Sequence, residues 1–260
     1  MPAARFRFES GAAKSTPGRA GESAAGLLNS LPVDSQHDRR PVPLVQVPPT
    51  AAGEGELNGL VALGGSLEPQ TLIAAYRAGI FPWSSDPVLS WWSPDPRAIF
   101  DLESWRPHRT IGRSARREGW RFSVDEDFTG VMRGCAESGP THPDRPSTWI
   151  TDDFVRGYGE LNRRGLAHSI EVWEGTTLVG GLYGVSLGGF FGGESMFHRR
   201  TDASKAAVAY LVERLRACGF SLLDAQVPTP HLARIGAVCI PRSDYLARLA
   251  RALDQDVRLS

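Results

Sequence analysis

The chain has 260 residues, 41% hydrophobic and 22% charged, a composition typical of a globular protein with a buried core. Its 29 Lys and Arg residues balance 29 Asp and Glu residues, so net charge indicates no polyanionic partner, and any nucleic-acid contact must come from a local patch. Three widely separated cysteines exclude a disulfide framework and favour a reducing, cytoplasmic compartment. No uninterrupted apolar stretch approaches the roughly 18 residues of a membrane span, so we expect no membrane partner.

The N-terminal segment, residues 1–52, is rich in Ala, Ser, Pro, Gly and Arg and has no periodic large apolar residues. We predict a disordered tail, because such a composition cannot bury enough apolar surface to offset chain entropy. Its Arg and Ser content is also similar to that of an organelle transit peptide. No amphipathic helix is evident, so a variable extension of a cytoplasmic protein is the favoured interpretation.

A small N-terminal domain is predicted over residues 53–95. Residues 59–65 form an apolar run closed by glycines, which indicates a short strand or buried turn. A helix is expected between Pro69 and Gly79, since apolar residues repeat there at helical spacing. The prolines of residues 89–97 exclude a helix and break any central strand.

The main domain, predicted over residues 96–260, alternates helices and strands. Thr151 precedes a helix, and two hairpins follow it, the second turning at residues 188–189. A helix over residues 202–218 leads to a strand over residues 220–227. This order predicts an α+β fold with a mixed, mostly antiparallel sheet.

Positive charge is concentrated in residues 105–121, where six arginines stand against one acid, Glu118. Such segregation predicts contacts with nucleic-acid phosphates, which require charge but no base recognition. A solvated helix face is the alternative. The arginines are Arg106, Arg109, Arg113, Arg116, Arg117 and Arg121.

Asp224 and Gln226 stand on the predicted strand of residues 220–227. In a regular strand they share one face, whereas Ala225 points to the other. Polar groups on an apolar strand are costly unless they are hydrogen-bonded. They are therefore candidates for function, with the alternative that they satisfy nearby backbone groups in a loop.

Glu194 is the single carboxylate in an apolar, glycine-containing stretch. A buried acid there could receive a cationic substrate group, because glycines allow a ligand to approach the backbone closely. The alternative is an ion pair with Arg199, Arg200 or Lys205.

Aromatic residues are frequent in the Pro- and Gly-rich segments, where they more often line pockets or stack on bases than they do on helices. Packing in the core is the alternative for each of them. They are Tyr76, Phe81, Trp83, Trp91, Trp92 and Trp149.

Motifs for several reaction classes are missing from the sequence. It contains no G-x-x-x-x-G-K-[ST] phosphate loop, no complete dinucleotide fingerprint, no H-E-x-x-H, no G-x-S-x-G and no zinc spacing. ATP-driven, metal-dependent and triad hydrolase mechanisms thus have no support, and we expect neither a cofactor nor a metal.

A series of short motifs extends from about residue 58 to about residue 249. They are Gly59-Leu-Val-Ala-Leu-Gly-Gly65, Ala75-Tyr-Arg-Ala-Gly-Ile-Phe-Pro-Trp83, Trp91-Trp-Ser-Pro-Asp-Pro-Arg97, Thr148-Trp-Ile150, His168-Ser-Ile-Glu-Val-Trp173, Gly192-Gly-Glu-Ser-Met-Phe197, Ala203-Ser-Lys205, Leu223-Asp-Ala-Gln-Val227 and Ile240-Pro-Arg242. In the identity and order of these motifs the chain resembles the leucyl/phenylalanyl-tRNA–protein transferase family.

The resemblance implies a small N-terminal domain and a larger domain similar to GCN5-related acetyltransferases. It also implies the reaction, in which Leu or Phe, with Met as a further candidate donor, moves from aminoacyl-tRNA to the N-terminal Arg or Lys of a protein. The product is marked for degradation. We expect a cytoplasmic monomer whose partners are aminoacyl-tRNA and these acceptor proteins.

The resemblance also suggests roles for individual residues. Gln226 would hydrogen-bond at the reacting centre, and Asp224 would orient it or assist deprotonation. Glu194 would contact the basic end of the acceptor or the adenosine region. The family often has Cys where this chain has Ala225, which we expect to matter little. The site for the 3′ adenosine and the apolar side chain would be lined by Tyr76, Trp83, Trp149, Phe191 and Met196, and Arg113, Arg116 and Arg117 would contact tRNA.

Two other functions compete with this one. An acyl-CoA acetyltransferase of the same superfold would need a pyrophosphate-binding loop before the helix near Asp202, and the sequence has none there. A non-catalytic module that recognises basic N-termini or tRNA would explain Glu194 and the arginines, but not the full series of motifs.

Overall fold

A computed structural model of the protein describes residues 45–46, 58–85, 88–138 and 148–259. The chain forms two compact units that divide between Trp92 and Ser93, close to the predicted boundary at residue 95. Most of the predicted tail lies outside the described residues. Within that tail, Val45–Gln46 forms a strand that pairs with Ala62 and Leu63.

The first unit is an antiparallel sheet with one helix. Its strands, in the order β1-β2-β4-β3, are β1 Val45–Gln46, β2 Leu60–Leu63, β3 Phe81–Ser85 and β4 Val88–Trp92, and helix α1 is Pro69–Arg77. The helix begins at Pro69, whose missing N–H would have no intrahelical partner at that position. Gly79, with φ of 74°, turns the chain into β3.

The second unit is a seven-stranded mixed sheet with helices on both faces. Its strands are β5 Arg97–Phe100, β6 Arg121–Val124, β7 Ala167–Glu174, β8 Thr177–Leu187, β9 Phe190–His198, β10 Leu222–Gln226 and β11 Val238–Ile240. Its helices are α2 Arg109–Arg117, α3 Phe128–Glu137, α4 Asp152–Arg163, α5 Ala203–Ala217, α6 Pro230–Arg234 and α7 Arg242–Leu253.

The strand order is β11-β5-β10-β9-β8-β7-β6. Strands β9 and β10 are parallel, and the other neighbouring pairs are antiparallel. The predicted α+β fold with a mixed, mostly antiparallel sheet is confirmed. A parallel pair requires a crossover connection, and α5 supplies it.

Helix α5 carries the apolar face that its sequence period predicts. Val208, Leu211, Val212 and Leu215 are buried against the sheet, in a core that includes Leu223 of β10.

Glycines in β8 mark where helices approach opposite faces of the sheet. A Cβ on Gly180 would lie 2.6 Å from the Cβ of Ala203 in α5, and one on Gly181 would lie 3.1 Å from Cγ2 of Val131 in α3. Since neighbouring strand residues point to opposite faces, α5 and α3 cover different faces.

Helix α4 begins after Thr151, as predicted, although the Thr151 side chain makes no capping hydrogen bond. No helix in the described part of the chain has the length and apolar character needed to cross a membrane.

Candidate active site

A buried ion pair joins the neighbouring strands β5 and β10. Nε of Arg97 donates to Oδ1 of Asp224 at 2.9 Å, and Nη2 donates to Oδ2 at 2.7 Å. Each side chain is only 1% exposed. A buried carboxylate requires such a partner, because the loss of hydration is otherwise uncompensated.

Tyr245 of α7 completes this pair. Its hydroxyl donates to Oδ2 of Asp224 at 2.9 Å, and its ring centroid lies 4.4 Å from Cζ of Arg97. Burial and the charge of Asp224 raise the pKa of Tyr245, which therefore stays protonated. Burial opposes the charge of Arg97, but the Asp224 carboxylate outweighs it and the pKa of Arg97 is raised.

Gln226 ends β10 in an unusual backbone conformation. Its φ is 63°, in the left-handed region, and its backbone N–H donates to Oδ1 of Asp224 at 2.8 Å. Asp224 pairs with Ile99 and Gln226 with Ala98, so Ala225 is an extra, bulged residue. The prediction that regular alternation extends to Gln226 is therefore wrong, since the bulge changes the register.

Ala225 itself packs, like Leu223, against the core beneath α5. This position on the core side agrees with the expectation that Ala225 faces away from the candidate site.

Glu194 stands at a second bulge, on the neighbouring strand β9. Tyr183 pairs with Ser195 and Gly184 with Gly193, so Glu194 has no residue opposite it in β8. Its Oε1 accepts 2.8 Å from Nε2 of Gln226, and its Oε2 accepts 3.0 Å from the Tyr158 hydroxyl. Two bulges thus bring an acid and an amide into direct contact.

The alternative partners considered for Glu194 were Arg199, Arg200 and Lys205, and the structure shows each of them in an ion pair with another acid. These pairs are Arg199 with Glu137, Arg200 with Glu174 and Lys205 with Asp202.

The two bulges lie where the parallel pairing of β9 and β10 ends. In the described structure, this pairing runs from Leu222 opposite Phe190 to Asp224 opposite Gly192. Glu194 and Gln226 follow at the carboxyl ends of the paired segments, the usual position for ligand-binding side chains in parallel sheets. Glu194 is half-buried, so part of its surface is exposed to solvent.

The predicted lining residues of the second unit occupy different surroundings. Phe191 is fully buried in the core beneath α5, and Met196 is half-buried against the same core. Trp149 packs edge to face on Phe154 of α4, with ring centroids 5.4 Å apart. A shared lining surface for these residues stays a prediction.

The other two predicted lining residues belong to the first unit. Tyr76 is buried on α1, and Trp83 is exposed on β3. Their predicted contact with substrate is likewise untested.

The predicted tRNA-binding arginines lie on helix α2. Ile111 is the buried residue that anchors this helix, whereas Arg113, Arg116 and Arg117 are exposed. Arg117 forms a 2.7 Å ion pair with Glu118.

Three side chains that build the site were not found from the sequence: Arg97, Tyr158 and Tyr245. A buried acid needs a cationic partner, and this requirement could have pointed to Arg97. Arg97 is a charged residue between an apolar segment and a proline-containing one, which is a further sign that it is buried. Neither tyrosine carries a local signal, because each reaches the site only through helix packing.

Comparison with known proteins places this chain in a family. The sequence profile of the leucyl/phenylalanyl-tRNA protein transferase family matches residues 99–250, and that of its N-terminal domain matches residues 65–95. A leucyl/phenylalanyl-tRNA–protein transferase of Shewanella denitrificans is 50% identical over 76% of this chain and 83% of its own length. One from Anaeromyxobacter sp. (strain K) is 52% identical over 77% of this chain and 85% of its own.

Among solved structures, L-PGS from Bacillus licheniformis has a TM-score of 0.41 and 11% identity, over 72% of this chain and 71% of that one. This likeness is too weak to assign a fold.

These matches define a transferase that uses aminoacyl-tRNA and acts on protein. The chain belongs to the leucyl/phenylalanyl-tRNA–protein transferase family. It moves leucine or phenylalanine from aminoacyl-tRNA to a protein, and the resemblance drawn from the sequence motifs is confirmed.

Proposed function

We propose that the chain transfers leucine or phenylalanine to the α-amine of proteins that begin with Arg or Lys and thereby marks them for degradation in the cytoplasm. Methionine is a further candidate donor, and we infer that the enzyme acts as a monomer. The observation that carries this proposal is the contact between Gln226 and Glu194, which places a neutral hydrogen-bonding group beside an acid that a substrate can reach.

The chemistry needs little activation. The aminoacyl ester is already reactive, and the attacking α-amine has an ordinary pKa near about 8. Nitrogen attacks the ester carbon, the bond to the ribose oxygen breaks, and the proton lost by nitrogen is taken up by that oxygen. Because Nε2 of Gln226 donates to Glu194, its Oε1 is oriented to accept a hydrogen bond from the attacking amine.

We propose that Asp224 is a positioning residue and does not act as the base. Its carboxylate is buried and already accepts four hydrogen bonds, from Nε and Nη2 of Arg97, the Tyr245 hydroxyl and the Gln226 N–H. A saturated carboxylate is poorly suited to accept a further proton from a substrate. Its contact with the Gln226 N–H instead supports a role in holding Gln226 in the left-handed conformation.

Glu194 is the proposed contact for the basic N-terminal side chain of the acceptor. Its two oxygens are oriented by Gln226 and Tyr158, and a half-buried carboxylate attracts a cation more strongly than an exposed one.

The second unit is proposed to have the GCN5-related acetyltransferase fold that the resemblance implies. The α5 crossover between β9 and β10 is compatible with that fold.

The arginines of α2 are proposed to contact tRNA phosphates outside the reacting centre. Charge reversal at Arg113, Arg116 and Arg117 should weaken tRNA binding and flatten its dependence on salt. Equal salt slopes for variant and parent would refute this assignment.

A transfer assay tests the function as a whole. The chain is incubated with radiolabelled Leu-tRNA and a peptide that begins with Arg, and label in the peptide is measured. A matched peptide with an acetylated N-terminus should stay unlabelled, because its α-nitrogen is no longer nucleophilic. A parallel reaction contains radiolabelled acetyl-CoA, and labelling of the peptide from this donor alone would indicate an acetyltransferase. Binding of tRNA or peptide without any labelling would indicate a recognition module.

A further inference from the structure

Four basic side chains from three elements are near enough for three of them to act electrostatically on the fourth, His231. Lys205 lies in the first turn of α5, His198 ends β9, and His231 and Arg234 lie on α6. His231 is half-buried, and its pKa is lowered first by burial and then by the positive charges of Arg234, Lys205 and His198. We name these four residues the α5–α6 basic cluster.

The cluster is continuous with the arginine-rich helix α2. The Ser114 hydroxyl of α2 donates to Oδ2 of Asp202 at 3.3 Å, and Nζ of Lys205 donates to Oδ1 of the same residue at 2.7 Å. One acid therefore bridges α2 and the start of α5, and the two basic surfaces adjoin.

Positive charge in the cluster exceeds the negative charge that contacts it. Asp202 accepts from Lys205, whereas exposed Arg234 forms no ion pair within the part of the chain that the structure describes. Like charges that are gathered at one place repel each other, and a bound anion removes that repulsion.

The cluster also lies close to the candidate active site along the chain. Helix α6 begins at Pro230, four residues after Gln226, and four residues span at most about 14 Å. Leu232 and Ile235 pack against the core beneath α5, and Arg234, between them, is exposed. A ligand held at Gln226 can therefore extend over this cluster.

We propose that the α5–α6 basic cluster binds the phosphates of the single-stranded 3′ end of aminoacyl-tRNA. The inference rests on the proposed function. The cluster would extend the proposed tRNA contacts of α2 toward the reacting ester. Phosphates carry no sequence information, so such contacts suit an enzyme that accepts tRNAs for more than one amino acid, whose 3′ ends are alike.

The test compares donors that differ in their number of phosphates. Transfer is measured for the parent and the Lys205→Ala/Arg234→Ala variant with aminoacyl-tRNA, an aminoacylated CCA trinucleotide and an aminoacyl-adenosine without phosphate. We expect kcat/KM to fall about tenfold or more with the first two donors, and the defect to be smallest with the third. The slope of log affinity against log salt should decrease by about 1.4, because each single-strand phosphate contact contributes about 0.7.

Two further variants separate charge from structure. Arg234→Ala alone leaves the Lys205–Asp202 contact intact and should show about half of the slope change. Arg133→Ala is the matched control, because Arg133 is exposed on α3, which packs on the other face of the sheet, and it should behave as the parent.

Parent-like kcat/KM and salt slope in the double variant would overturn the inference. A defect with whole tRNA but not with the trinucleotide would place the contacts on the double-stranded stem and would also overturn it. Failure of the parent to transfer from any donor would instead refute the proposed function.

Discussion

Arg97 binds both carboxylate oxygens of Asp224 from the neighbouring strand, at 2.9 and 2.7 Å, although 127 residues separate them in the sequence. The same carboxylate accepts the N–H of Gln226, so the ion pair supports the backbone at the residue that we place at the reacting centre. Stability and activity are therefore coupled at this position, and experiments must measure both.

Replacing Asp224 with Asn should destabilise the fold, because Arg97 would be left buried without a counter-charge. The expected loss is about 3–5 kcal/mol in the free energy of unfolding, measured by urea denaturation. Arg156→Ala, which breaks an exposed pair with Asp153 on α4, should leave the midpoint nearly unchanged. A parent-like unfolding curve for the Asn variant would show that the pair contributes little.

Replacing Gln226 with Ala should slow the chemical step by about 100-fold, because the attacking amine loses its hydrogen-bond acceptor. Single-turnover transfer from bound aminoacyl-tRNA measures this step, and the affinity for the donor should be retained. Ala225→Cys is the matched control, since Ala225 packs against the core, and it should keep nearly the parent rate. An unaltered single-turnover rate in Gln226→Ala would remove Gln226 from the reacting centre.

Replacing Glu194 with Gln should weaken binding of the acceptor, because the neutral amide cannot form an ion pair with a basic side chain. We expect KM for a peptide beginning with Arg to rise about tenfold, with KM for aminoacyl-tRNA much less affected. Steady-state kinetics with each substrate varied in turn provide the comparison. If KM for the donor rose instead, Glu194 would contact the adenosine region.

Cys135 should make stability depend on pH in the alkaline range. Burial raises the pKa of this thiol from 9.0 to about 12, so above about pH 9 the unfolded chain releases a proton that the folded chain keeps. The free energy of unfolding should then fall as pH rises, by up to about 1.4 kcal/mol per pH unit. Below about pH 9 this stabilisation is fully present.

Urea denaturation between about pH 8 and about pH 10 checks this for the parent and for Cys135→Ala, whose decline should be shallower. Cys239→Ala, at an exposed position, should keep the steep decline because Cys135 is intact. Parallel curves for parent and Cys135→Ala would mean that the thiol is not responsible.

Replacing Gly180 with Ala should push α5 away from the sheet, since the new Cβ would lie 2.6 Å from the Cβ of Ala203. The expected destabilisation is about 1–3 kcal/mol, measured by thermal or urea unfolding. Gly159→Ala in α4 is the matched control: its nearest neighbour would be Nη1 of Arg163 at 3.9 Å. That variant should gain about 0.5–1 kcal/mol from reduced backbone entropy. A loss of stability in both variants would indicate a cause other than the contact with α5.

Several residues of the candidate site could be predicted from local sequence, but the geometry of the site could not. Asp224, Gln226 and Glu194 stood out because polar residues interrupt apolar strands, and the structure brings the last two into contact. Strand period alone did not reveal the bulge at Ala225, where β10 pairs with β5, because nothing local to residues 224–226 signals it.

The sequence by itself determined α4, the hairpins of β7 to β9, α5 and β10, together with the mixed α+β class and the family. Helix α5 shows why: its apolar period and terminal glycine are properties of residues within a few turns of one another. Tertiary structure alone decided that Arg97 neutralises Asp224, that Tyr245 and Tyr158 complete the site, and that Gln226 meets Glu194. These contacts depend on strand order and helix packing between distant segments, and local periodicity carries no record of which segments meet.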